Sequence, residues 1–194
     1  MCGWSVQEYS PNAFEVKVTH PQTPLLGAPI ELPVTAKYYM GKSLSKAQLS
    51  WSVRAMDEHF APTGFEDFVF TEALFDWRLQ QKLGGEPRFS AQGRADIGAD
   101  GAVKVAFSVP QNSRMPQPRR VRFLTEITDI NQQTVAERSE FLAHSSDFYL
   151  GIARMPDVVR EGEKLPLQLV AVRTDGTPTP EPVEATVKLT RIEW

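Results

Sequence analysis

The chain has 194 residues, 41% of them hydrophobic and 23% charged, the balance of a globular protein with enough apolar material for a sizeable core. Its formal net charge is −3 and its basic residues are scattered, which argues against nucleic acid or an anionic membrane as the main partner. The single cysteine, Cys2, has no partner for an internal disulfide, and no Cys/His cluster has metal-ligand spacing.

In chain order, the dominant periodicity is two. Trp4-Ser5-Val6-Gln7-Glu8 reads as strand, and Tyr9-Ser10-Pro11-Asn12 as a tight polar turn. Phe14, Val16 and Val18 then alternate with Glu15, Lys17 and Thr19. Ile30, Leu32, Val34, Ala36 and Tyr38 alternate with polar neighbours, and Pro33 within that run predicts an edge strand or a bulge. Leu49, Trp51 and Val53 continue the pattern, as do Val103, Val105, Phe107 and Val109, then Val121, Phe123, Thr125 and Ile127. One wet and one buried face per run predicts antiparallel sheets packed as a sandwich. Hairpin turns are expected at Asp100-Gly101, at Asn131-Gln132 and at Asp175-Gly176. The stretch from Phe60 to Ser90 is the longest irregular one. Within it Leu74, Trp77, Leu79 and Leu83 are loosely helically spaced, so Thr71 to Leu83 reads first as an excursion between strands and second as a short helical turn. A boundary falls at His144-Ser145-Ser146-Asp147, and a new strand opens at Phe148-Tyr149-Leu150-Gly151-Ile152. Only about three strand-length runs follow, where an immunoglobulin-like sandwich needs about seven.

No constellation for catalysis stands out, and no catalytic, cofactor-binding or metal-binding residue is assigned. Glu66 and Asp67, adjacent in a strand-like segment, would point to opposite faces and read as solvated surface. His20, His59 and His144 are far apart, none lies near a nucleophile motif, and all three read as surface or loop histidines. Gly84-Gly85 lacks the lysine and helix start of a phosphate loop, and Asp96, Asp100 and Asp129 lack the spacing of a calcium loop. The run Arg119-Arg120 and Arg122 is read as balanced by Glu126 and Asp129. There is no signal peptide and no apolar run long enough to span a bilayer.

Four stretches in order resemble the macroglobulin domains of the alpha-2-macroglobulin and complement family. Val6 to Val18, with Glu8-Tyr9, Pro11 and Phe14-Glu15-Val16, resembles the junction that closes one such domain and opens the next, its proline one residue nearer the tyrosine. Ala36 to Ser43 resembles the hairpin that follows, with Ser43 where proline is frequent. Thr125 to Val135 is similar to the closing hairpin, with Gln132 in the usual glycine position. Ser146 to Ile152 looks like the opening of the next domain in bacterial members.

The resemblance implies an all-β chain of antiparallel, immunoglobulin- or fibronectin-like β-sandwich domains, one complete and one partial. Residues 1–9 would be the tail strand of a preceding domain or a linker, 10–146 a macroglobulin-like sandwich, and 147–194 the first part of a following one. It further implies a non-enzymatic scaffold piece of a bacterial, broad-spectrum protease inhibitor, periplasmic or extracellular, with a lipoprotein anchor on the parent left open. Its partners would be neighbouring macroglobulin domains and, through the parent, the trapped proteases. The family's thioester segment, Cys-x-Glu-Gln, is not here, since Cys2 is followed by Gly3-Trp4. Phe60 to Ser90 offers Arg78, Lys82 and Arg88 as a bait for proteases, but its phenylalanines and Trp77 favour a stretch that packs down. The alternative is an adhesin or carbohydrate-binding sandwich, with the aromatics from Phe60 to Trp77 stacking on sugar rings. A hydrolase is the third reading and lacks a nucleophile.

Overall fold

A computed structural model describes residues 13–70, 87–111, 117–156, 158–160 and 162–188. Its strands are β1 (Phe14–Val18), β2 (Pro29–Tyr38), β3 (Gln48–Asp57), β4 (Phe68–Val69), β5 (Phe89–Asp96), β6 (Ala102–Ser108), β7 (Arg119–Thr128), β8 (Thr134–Ala143), β9 (Phe148–Ala153) and β10 (Leu169–Arg173). All strand pairs are antiparallel, and they form three sheets. Sheet β1-β2-β6 faces sheet β5-β3-β7-β8 across the main core, and β10-β9-β4 forms a separate sheet beside them. The fold is therefore all-β and sandwich-built, as the alternation predicts. Trp4, Tyr9, Cys2 and the helical reading of Thr71 to Leu83 lie outside the described residues.

The alternation is what builds the sandwich. Phe14, Ile30, Leu32, Val34, Leu49, Val53, Val121, Phe123 and Ile127 are almost wholly buried, each contributing about 1.5–3 kcal/mol by leaving water. Their sequence neighbours face outward. Trp51, Phe107 and Phe123 form a cluster with every pair of ring centroids 6.3 Å apart, and it ties the two sheets together. β2 leaves its sheet through a tight turn in which the Gly41 N–H donates to the Tyr38 carbonyl at 2.8 Å. Gly41 has φ of +88°, cheap for glycine and strained for other residues.

Three expectations are corrected. β2 is the central strand of its sheet, not an edge strand. Pro33 is tolerated because β1 ends opposite Val34, so the missing N–H falls just beyond the last paired residue, where only the Pro33 carbonyl is used, by the Thr19 N–H at 3.0 Å. Asp100-Gly101 does turn the chain, but the strands it joins, β5 and β6, belong to different sheets, so the turn is a corner and not a hairpin. The excursion is not wholly irregular: it supplies β4 and leads into β5.

The Asn131-Gln132 turn joins β7 to β8 as a true hairpin. Asp175-Gly176 closes a short one after β10, with the Arg173 N–H donating to the Thr177 carbonyl at 2.7 Å. On the β9–β10 sheet, Leu150, Ile152 and Leu169 share one face and are substantially exposed, an apolar surface unusual for an outward face.

Candidate functional site

The described residues are organised around a seam, where the sandwich meets the β9–β10 sheet. At the end of β8 the chain is pinned to the β1–β2 connection: the His144 N–H donates to the Pro24 carbonyl and the Leu26 N–H to the His144 carbonyl, each at 2.8 Å. Four residues later β9 begins. Phe60, just past β3, crosses to this side and stacks on Tyr149. Phe65, Phe70, Val170 and Val172 complete a second, smaller core. Gly151 makes room for it, because a Cβ there would stand 2.7 Å from the Phe70 ring. β4 pairs with β9, Phe68 opposite Ala153 and Val69 opposite Ile152, and the Arg154 N–H donates to the Asp67 carbonyl at 2.8 Å. A loop leaving one sheet thus supplies a strand to another.

His144 is 4% exposed, so the expectation of a surface or loop histidine is corrected for this residue. Its Nδ1 lies 3.2 Å from the Tyr149 hydroxyl, and its ring meets Phe60 edge-on. The Ser145 N–H donates to the same hydroxyl at 3.1 Å, and Ser145 Oγ lies 3.4 Å from it. Burial holds the His144 pKa below the ordinary histidine value and raises that of Tyr149, the latter opposed by hydrogen bonds from Ser145. Beside the ring opens a cleft of about 540 Å³ whose wall includes Glu58, His59, Arg120 and Asp175. His59 and His144 line this one cleft, whereas His20 stacks on Phe141 with centroids 5.1 Å apart and is not among its lining residues.

The basic run is neutralised by partners other than those expected. Arg119 donates to Asp57, which Arg88 also bridges at 2.9 Å, and to the Pro110 carbonyl. Arg120 joins Glu58 and Glu140, and Glu140 also receives Arg122 and Arg138. These guanidiniums, Arg120 foremost, then Arg138 and Arg122, hold the Glu140 carboxyl down at about 2. Asp129 serves the β7–β8 turn, where its Oδ1 accepts the N–H groups of Asn131 and Gln133 at 2.8 and 2.9 Å. Glu66 and Asp67 are exposed in a turn before β4, the Glu66 carboxylate accepting the Gly64 N–H at 2.9 Å. Trp77, Arg78 and Lys82 lie outside the described residues. Sequence reasoning missed the seam role of His144 and Phe60, which rests on contacts across the fold and has no periodic signal in the sequence.

No protein family model matches the chain. Two curated proteins match at low identity: the "Circularly permutated Ras protein 2" of Dictyostelium discoideum, 25% identical over 163 residues, and an "Alpha-2-macroglobulin homolog" of Nostoc sp., 21% identical over 173 residues. They align with 78% and 88% of this chain, which spans only 4% and 9% of their lengths. Among solved structures, trypsin-activated alpha-2-macroglobulin from Escherichia coli superposes with a TM-score of 0.60 at 16% identity, over 88% of this chain and 12% of that one. Methylamine-reacted Salmonella alpha-2-macroglobulin gives 0.60 at 15% identity, over 89% and 12%. The chain is therefore similar to bacterial alpha-2-macroglobulins, as its motifs indicate, and shares the β-sandwich fold of a part of them.

Proposed function

We propose that the chain is a structural unit of a larger, alpha-2-macroglobulin-like protease inhibitor, contributing scaffold and no catalysis. The observation that carries this reading is the seam: one sandwich, residues 13–146, lends β4 and Phe60 to a second sheet that begins at Phe148. Such sharing fixes successive units in a defined relation, which a scaffold needs. The likeness to bacterial alpha-2-macroglobulins over most of this chain, and about an eighth of theirs, supports the same reading. Residues 10–146 are one macroglobulin-like domain on this view, 1–9 belong with a preceding unit, and 147–194 open a following one. The apolar face of Leu150, Ile152 and Leu169 is then covered by further strands of that following unit.

The protein acts in the periplasm or outside the cell, on proteases that meet the whole inhibitor. Among the described residues no helix is long and apolar enough to cross a membrane. The test is to incubate the full-length gene product with trypsin. The protease should keep its activity on a small peptide substrate and lose it on a large protein substrate. Equal loss on both, or on neither, overturns the proposal.

A further inference from the structure

The outer face of the four-stranded sheet breaks a local rule. Arg54 on β3 stands directly opposite Arg122 on β7, a like-charged cross-strand pair that costs stability. Arg122 is compensated by Glu140, whereas Arg54 forms no ion pair among the described residues. Arg94 on β5 is likewise without an ion pair among them. On this face Arg54, Arg94, Arg120, Arg122 and Arg138 outnumber Asp96, Glu126 and Glu140, although the chain as a whole is acidic. Unbalanced charge kept in an ordered sheet marks a place where function overrides folding.

The same face is concave. Ser50 and Ser52 in the middle strand are short, while Gln92, Arg94, Leu124 and Glu126 rise on either side and border a shallow, open dish of about 550 Å³. Its floor offers hydroxyls, one wall an amide and a guanidinium, the other Leu124 and a carboxylate. Arg94 lies opposite Ser50, four residues from Arg54 along β3. At about 3.3 Å per residue, the backbone positions of the two arginines are about 13 Å apart along the strand direction, on neighbouring strands. β3 is hydrogen-bonded on both sides, so no strand can add there, and only side chains are offered to a partner.

We propose that this dish docks an extended acidic polypeptide segment, lying along β3, with carboxylates four residues apart that reach Arg54 and Arg94. In an extended chain residues i and i+4 point the same way and span the same distance as the two arginines. Glu126 repels acid from the β7 wall, and Asp96, two residues beyond Arg94 on β5, repels it from the far end, so the segment's terminal carboxylate stops at Arg94.

The test is an NMR titration of the 194-residue chain, at low ionic strength, with capped Glu-Thr-Ala-Thr-Glu. Amide shifts are expected at Ser50, Ser52, Gln92 and Leu124. Arg54→Glu or Arg94→Glu should each weaken binding about tenfold, in line with loss of one charge-assisted contact. Both sites are exposed, and the double variant should instead bind Lys-Thr-Ala-Thr-Lys. Absence of shifts on this face overturns the proposal. So does equal binding of a peptide with adjacent glutamates, because spacing would then not matter. Tighter, arginine-dependent binding of a single-stranded oligonucleotide overturns it too, reassigning the face to generic polyanions.

Discussion

Phe60 and Tyr149 stack with ring centroids 4.2 Å apart and planes inclined by 21°, one just past the end of β3 and the other in β9. This contact is the centre of the second core, since Phe65, Phe70, Val170 and Val172 gather around the pair. Phe60→Ala should therefore cost about 3 kcal/mol locally, as truncation of a buried phenylalanine does. Amide exchange should quicken across β9 and β10 while β3 and β7 keep their protection, because the main core does not contain Phe60. Uniform quickening across all sheets would contradict this.

His144 makes the seam sensitive to mild acid. Its folded pKa lies below the ordinary value of 6.5, so the unfolded or undocked state binds the proton more readily. Stability from this residue is fully present above about pH 6.5 and declines as pH falls below it. The Tyr149 hydroxyl, Glu58, His59, Arg120 and Asp175 stand nearby, and the ring remains largely shielded. His144→Gln, which keeps a polar group near Tyr149, should flatten the denaturation midpoint between pH 7 and 5. An unchanged slope would remove the assignment.

Glu140 governs a lower window. Its carboxyl sits at about 2 in the folded chain and near 4.5 when free of its arginines. Its contribution is present above about pH 4.5 and is lost as pH falls toward 2, the opposite end of the acid range from His144. Glu140→Gln should lower stability at pH 7 and make little difference at pH 2. The two midpoints, measured by urea denaturation, check the sign.

Gln132 has φ of +64°, a left-handed conformation uncommon for a side chain of its kind. The turn is fixed by Asp129, whose carboxylate collects the Asn131 and Gln133 N–H groups. Gln132→Gly should relieve about 1 kcal/mol of strain, offset in part by a freer unfolded chain. A rise of about 1–2 °C in Tm is expected by calorimetry.

Most of the sandwich was legible because alternation and burial agree residue by residue. Phe14, Val16, Ile30, Leu32, Val53, Val121 and Phe123 face inward where period two puts them. β5 was not legible, since after Phe89 its inward positions are Ala91, Gly93 and Ala95, too small to signal a strand. Gly93 is small because Trp51 lies over it: a Cβ there would stand 2.7 Å from the indole. The bulk that identifies β5 as core is therefore carried by β3. Pro33 misled because a proline's tolerance depends on where the neighbouring strand stops, a fact of pairing that β2 alone does not contain. The seam escaped for a similar reason, since neither Phe60 nor His144 has a periodic context. The dish on the outer face depends on Ser50 meeting Arg94 and Glu126, and Ser52 meeting Gln92 and Leu124, across strands, which only the register reveals.

The loan of β4 has a mechanical meaning. A single linker at residues 144–147 would act as a ball joint, leaving the second sheet to swivel about it. Attachment at two separated points, the linker and the β4–β9 pairing, removes all but one rotational axis. Force pulling the second sheet away must peel β4 or shear the Phe60 stack before it can stretch the linker. A chain cut at 147 would also strip the cover from Phe60, Phe65, Phe68 and Phe70, turning a load-sharing strut into a sticky end.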